Sequence, residues 1–292
     1  MNNYLISVLL GIVEGLTEFL PVSSTAHLRI AEALLHIDLT DAYWKMYTVV
    51  IQVGAILALC LLFMGRIMEF VHTFPKGENG KKSIWTHPIS LTFFAFVACS
   101  IPSLLLIKMI SKNLETVQPM AYAFLIGGVV MWVVDIWTVR HEAGTADVED
   151  MNLLQAIWIG LCQTLAPLFP GTSRSMSTIA AGQIAGLNRS TALEFSFLLS
   201  IPTMIAATGY DLFKEVFHQS HAAGEAVAPL VMSQERWIVL LIGVAVSFVV
   251  ALGVVEWFLQ WVRKYGLVIF AVYRIVLAIV LLTVGRNILG TN

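Results

Sequence analysis

Leu5 to Leu35 is an apolar stretch broken at its centre by Pro21-Val22-Ser23-Ser24-Thr25. Leu153 to Leu187 is a second, broken by Pro167-Leu168-Phe169-Pro170-Gly171-Thr172-Ser173. Each runs about 30 to 35 residues, long for one crossing of the hydrocarbon layer at about 20 residues and short for two with a loop. A re-entrant helical hairpin, entering and leaving on the same side, fits both lengths. Non-helical backbone is tolerated at membrane depth only where protein or a watery cavity satisfies its polar groups. Two such breaks therefore predict a polar cavity inside a bundle.

The rest of the chain supplies the bundle. Six uninterrupted stretches are long and apolar enough to cross: Tyr47–Met64, Pro88–Ile110, Met120–Thr138, Leu193–Gly209, Trp237–Leu259 and Leu267–Leu289. Composition agrees. Hydrophobic residues make up 58% of the 292 and charged residues only 12%, about half the usual share of a globular protein. Mean hydropathy is +0.81, so a soluble fold is excluded. A formal net charge of −2 supplies no basic field for nucleic acid. Cys60, Cys99 and Cys162 lie far apart in apolar runs and read as small hydrophobes, neither a disulfide framework nor metal ligands. Met1-Asn2-Asn3-Tyr4 has no basic residue, and the run after it carries Glu14 and Glu18, so the first segment is expected to stay in the mature protein.

Laying Gly11, Glu14, Pro21, Ser23 and Ser24 over Gly160, Gln163, Pro170, Thr172 and Ser173 gives a constant separation of 149 residues. Each match is followed by three spans. Three is odd, so the second half must be inverted relative to the first, and hairpins entering from opposite faces can meet near the midplane. The expected fold is all-α and polytopic, an inverted-topology repeat with six transmembrane helices and two re-entrant helical hairpins. The first repeat covers residues 1–140, with its hairpin at 5–36. The second covers 151–292, with its hairpin at 153–188.

Glu14, Glu18, His27 and Arg174 all lie on the interrupted segments. A charge at the centre of a spanning helix costs about 2.5–3.5 kcal/mol even on a lenient scale, so these groups must pair, bind an ion or face water. Glu14 and Glu18 are four apart and project from one helix face. Either a hard divalent cation such as Mg2+ or Ca2+ sits beside them, or one carboxyl stays protonated as a poised acid or base. After Pro21, Ser23, Ser24 and Thr25 precede His27, so Ser24 with His27 is a candidate nucleophile–base pair. Ser23 is alternatively a helix cap. Pro170-Gly171-Thr172-Ser173-Arg174-Ser175-Met176-Ser177-Thr178 reads as an anion cradle, with close backbone approach at Gly171 and free amides at a helix start. Hydroxyls of Thr172, Ser173, Ser175 and Thr178 surround a planar guanidinium fork suited to phosphate. Facing hairpins would bring acid, hydroxyl and phosphate clamp together, which points to hydrolysis of a phosphate ester or anhydride on a lipid.

Glu14 to His27, Glu-Gly-Leu-Thr-Glu-Phe-Leu-Pro-Val-Ser-Ser-Thr-Ala-His, closely resembles the first signature of the bacitracin-resistance (BacA/UppP) family of undecaprenyl-pyrophosphate phosphatases. Pro170 to Thr178 resembles its second, and Glu194–Leu199 and Ala271-Val272-Tyr273-Arg274 also look like family segments. The resemblance implies that Glu14, Glu18, Ser24, His27 and Arg174 are the functional residues. It implies removal of the terminal phosphate of undecaprenyl diphosphate, giving the monophosphate carrier reused in peptidoglycan synthesis, and bacitracin resistance. It further implies dependence on a divalent cation (Mg2+ or Ca2+) held at Glu14 and Glu18, and a homodimer in the bacterial inner membrane. Ala26 stands where relatives often carry Gly, and its methyl is expected at the hairpin tip. Phosphatidate-type lipid phosphatases need a histidine six positions beyond Arg174, where this chain has Ala180.

A lipid flippase or transporter is the competing expectation, since broken helices around polar groups are transporter features. A nucleophile beside a phosphate clamp favours the enzyme. Ser24, His27 and a metal-bound water all remain as attacking groups, with Ser24 preferred and His27 or Glu18 as its base. Orientation follows from eight basic residues on the Gly65–His87, Arg140–Asn152, Leu187–Thr191 and Gln260–Gly266 loops against six on the opposite face: Lys45, Lys108, Lys112, Lys214, Arg236 and Arg286. The positive-inside rule turns the first group to the cytoplasm, leaving both termini outside and the pocket opening to the periplasmic side.

Overall fold

A computed structural model describes residues 2–37, 41–77, 80, 82–106, 117–140, 144–217 and 232–289, with side chains excepted at 139–140, 214–217 and 286–289. The first half forms α1 (Asn3–Thr17), α2 (Ser24–Leu34), α3 (Ala42–Leu62), α4 (Met64–Thr73), α5 (Pro88–Leu106) and α6 (Val117–Arg140). The second forms α7 (Leu153–Gln163), α8 (Leu165–Leu168), α9 (Arg174–Ile184), α10 (Arg189–Phe217), α11 (Gln234–Tyr265) and α12 (Val268–Leu289). Polar residues start several of these helices by accepting from free N–H groups: Asn2 for α1, Asp41 for α3 and Ser233 for α11. Asn152 and Gln155 make a reciprocal capping box at the start of α7.

Among the described residues, helices α3, α5, α6, α10, α11 and α12 are the six long and apolar enough to cross a membrane. The chain is a polytopic all-α membrane protein. Leu105 and Leu154 are 71% and 78% exposed, an apolar surface suited to lipid. The apolar stretches underestimate several helices: α11 runs on to Tyr265, where Arg263 and Lys264 complement the carboxyl end of the helix dipole. One expected loop is partly helical. Gly65–His87 is no simple polar connection, because it opens within α4. Met64, Met68 and Val71 face outward on one stripe, while Phe70 is buried, and the interleaved Arg66, Glu69 and His72 conceal that pattern from a hydropathy reading.

Both interrupted stretches fold as broken helices. α2 and α9 have 11 residues each, a rise of about 16 Å, so neither can cross a core about 30 Å thick. Their N-caps, Ser23 and Ser173, have φ of 69° and 71°, a region costing non-glycine residues of order 1–3 kcal/mol. These caps are 150 residues apart, one more than the 149 that aligns Gly11 with Gly160 and Pro21 with Pro170. The second turn holds the extra residue.

The helix contacts come largely in matched pairs. α1 packs on α11 and α7 on α5; α3 packs on α11 and α10 on α5; α2 meets α12 and α9 meets α6. A Cβ on Gly11 would strike the Gly243 carbonyl of α11, and one on Gly160 the Ala95 carbonyl of α5, so equivalent glycines permit equivalent close approaches. The match is incomplete, since α9 lies along α10 more closely than α2 along α3.

The loops sort to two ends. Arg66 pairs with Asp147 and Glu194, Lys82 donates to the Glu149 carbonyl, and Arg263 reaches Ser190. Buried Asp135 accepts from Arg189, Gln183 and the Leu267 N–H. The four loops grouped by sequence therefore share one end, while Asn3, Tyr43 and residues 235–236 meet at the other. Lys81, Lys108 and Lys112, and the side chains of Arg140, Lys214 and Arg286, lie outside the described residues.

Candidate active site

Pro21 and Pro170 lie in the turns that follow α1 and α8, and the two turns come together. Glu18, at the C-cap of α1, sits between them. Its Oε1 accepts from Arg174 Nη2 at 3.0 Å and its Oε2 accepts from the Ser24 hydroxyl. One carboxylate thus bridges the hydroxyl of the first turn and the guanidinium of the second. Arg174 Nη2 also touches Met204 Sδ, and Nη1 is buried without a partner. A buried guanidinium nitrogen with free donors is an incomplete anion site. Glu14, one helical turn before Glu18, is fully buried, and neither carboxyl oxygen has a hydrogen-bond donor among the described residues.

His27 does not contact Ser24 through either ring nitrogen. Nδ1 lies 2.8 Å from the Ser23 carbonyl and Nε2 2.6 Å from the Tyr273 hydroxyl. The Ser23 carbonyl also accepts from the His27 N–H, so the histidine braces the strained cap before Ser24. At the second turn Ser177 does the same: its N–H and hydroxyl both donate to the Ser173 carbonyl. Gly171 has φ of 95°, and a Cβ there would strike the Met120 carbonyl at 2.8 Å.

Behind both turns lies Arg274, fully buried on α12. Nη1 donates to the Pro21 carbonyl at 3.1 Å, and Nη2 to the Gly171 and Ala123 carbonyls at 2.9 and 3.1 Å. The guanidinium lies over the Phe124 ring at 4.7 Å. One side chain thus ties the two turns to each other and to α6.

The family model for "Bacitracin resistance protein BacA" matches residues 7–280, nearly the whole chain. The chain belongs to the BacA family. Similar relatives are the undecaprenyl-diphosphatases of Koribacter versatilis, 58% identical over 97% of this chain and 98% of that one, and of Campylobacter fetus, 39% identical over 96% and 98%. That of Persephonella marina is 38% identical over 94% and 96%.

In this BacA-family chain, then, Glu18 contacts both Ser24 and Arg174, with Glu14 one turn away. The other hydroxyls divide. Ser173 accepts from the Met176 N–H and contacts Ser175, which donates to the Leu20 carbonyl. Thr178 bonds Ser196 on α10 at 2.6 Å. Thr172 is nearly buried in the second turn, and Thr25 faces outward. Ala26 is fully buried against α6 and α12, among Met120, Ala121, Phe124 and Ala278. Its methyl therefore fills a helix interface. Sequence reasoning gave Tyr273 and Arg274 no role. The available signal was the one applied to Arg174, a charge within an apolar span.

Proposed function

We propose that this chain is an undecaprenyl-diphosphate phosphatase, releasing inorganic phosphate and the monophosphate carrier for peptidoglycan synthesis and so conferring bacitracin resistance. The observation that carries the reading is Glu18 bridging Ser24 and Arg174. Ser24 Oγ attacks the terminal phosphorus while its proton passes to Glu18 Oε2. The phosphorus–oxygen bond to the bridging oxygen breaks, and the lipid monophosphate leaves. The proton on Glu18 passes to the leaving monophosphate; Glu18 then takes a proton from the water that cleaves the phosphoserine and returns it to Ser24 Oγ, releasing inorganic phosphate. Arg174 holds the terminal phosphate through its free Nη1 and stabilises the charge developing in transfer. His27 keeps Ser24 in place through the Ser23 carbonyl.

The donor set suits a hard divalent cation, Mg2+ or Ca2+. Glu14 presents two buried, unpartnered oxygens beside Glu18, and such ions bind through one or two carboxylates plus substrate phosphates. Among the described residues no cluster of three or more His, Cys, Asp or Glu could complete the shell alone. At formal charge the two carboxylates balance Arg174 and Arg274, so an incoming diphosphate needs added positive charge. Bound there, the cation would neutralise the diphosphate and polarise its phosphoryl oxygens.

Purified protein given undecaprenyl diphosphate and Mg2+ or Ca2+ should release phosphate. Arg174→Lys keeps the charge but loses the fork and should lose most of that activity; full activity would sink the reading of Arg174 as a fork between Glu18 and the phosphate.

The proposal extends to architecture. Two inverted repeats, 1–140 and 151–292, each with a re-entrant hairpin and three spans, account for the paired contacts and the short α2 and α9. The assembly is a homodimer in the bacterial inner membrane, on the family resemblance, with the pocket opening outward, where spent carrier is left. Cysteines placed near residue 80 should then resist impermeant thiol reagents in intact cells, while one at residue 225, outside the described residues, reacts. The opposite labelling pattern would invert the orientation.

A further inference from the structure

We propose that Tyr273 is a positioning residue that acts through His27 on the turn presenting Ser24. The inference rests on the place given to His27 in the proposed function. A carbonyl oxygen only accepts, so Nδ1 of His27 must carry the proton it shares with Ser23. A neutral imidazole has one ring proton, so Nε2 is left as an acceptor and the Tyr273 hydroxyl donates to it at 2.6 Å. The two rings stack, with centroids 5.7 Å apart and planes at 16°, and Phe124 flanks the histidine at 6.1 Å.

The second turn shows what bracing a cap requires. Ser177 holds the Ser173 carbonyl with its N–H and its hydroxyl, and its side chain reaches no further. His27 does this and has a second nitrogen, which reaches α12 246 residues away in sequence. That link joins the Ser24 turn to the helix that also carries Arg274. Tyr273 is 44% exposed, and its only described hydrogen bond is the one to His27. The chain Tyr273–His27–Ser23 thus fixes both ring tautomer and turn, as the partners of an active-site imidazole commonly do.

The test is Tyr273→Phe, which keeps the stacked ring and removes the hydroxyl, alone and combined with His27→Gln. Tyr273→Phe should lower kcat about tenfold, the worth of one hydrogen bond at about 1.4 kcal/mol, with KM changed less than about twofold. In the His27→Gln background it should have no further effect. Nitrogen-15 spectra of histidine-labelled protein, with the His27 signals assigned by their loss in His27→Gln, need no turnover. They should show Nδ1 protonated in both proteins, held by the Ser23 carbonyl, and an Nε2 signal in Tyr273→Phe shifted toward that of an unbonded nitrogen. An unchanged spectrum, or equal kcat losses in both backgrounds, overturns the inference while the reading of His27 stands. Parental kcat and KM in His27→Gln would remove that reading first, and this inference with it.

Discussion

Glu18→Gln is expected to lower kcat on undecaprenyl diphosphate by about 10²–10⁴-fold, the usual contribution of a positioned base. The amide is isosteric and its oxygen can still accept from Arg174, so the pocket keeps its shape. It cannot take the proton of Ser24, whose hydroxyl now donates to Glu18 Oε2. Ser24→Ala should cost at least as much, because it removes the attacking oxygen. The double variant should be little worse than either single, since residues acting as one unit are not additive. The measurement is phosphate release at saturating substrate, with thermal unfolding in detergent to check the fold. Ser24→Ala retaining near-parental turnover would exclude attack by that hydroxyl and leave His27 or a water as nucleophile.

Arg274→Lys should act on the fold as well as on turnover. The guanidinium serves three carbonyls on three elements, and a lysine amine cannot span Pro21, Gly171 and Ala123 together. Hydrogen bonds to charged groups contribute about 1.5–3 kcal/mol each, so losing two costs about 3–6 kcal/mol. A lowered unfolding midpoint in detergent should accompany the loss of activity. Arg174→Lys, whose partners are one carboxylate and a thioether, should impair activity with a much smaller fall in that midpoint. Equal midpoints for the two variants would contradict the assignment of Arg274 to the turns.

The bundle was legible because uninterrupted apolar runs and proline breaks are local signals. Glu18, Ser24 and Arg174 were legible because charges and hydroxyls cluster where the runs fail. What escaped was partnership between distant segments. His27 seemed paired with Ser24 by helical spacing, yet a helix fixes only the side of its axis on which a ring lies, and Tyr273 on α12 decides where Nε2 points. Ser175 and Thr178 looked like phosphate ligands, but a run of hydroxyls does not reveal which ones the backbone of the turn after α1 or the side chain of Ser196 will claim. Arg274 and Asp135 carried the same desolvation signal as Arg174 and lay in spans that otherwise read as clean. α4 was hidden because its outward apolar stripe is interleaved with charge.

Gln163 stands where the first half has Glu14. Its amide donates to Thr203 at 3.1 Å, while its carbonyl oxygen stays buried without a partner. Had the two proposed repeats remained identical, four carboxylates would converge at the meeting point of the hairpins, a repulsion that low dielectric magnifies. A neutral residue on one side relieves that repulsion, and the extra residue of the second turn gives it a guanidinium where the first has a hydroxyl. Under the proposed repeat, the two halves therefore present different chemistry to each other: the first brings the acids and the hydroxyl, the second the guanidinium.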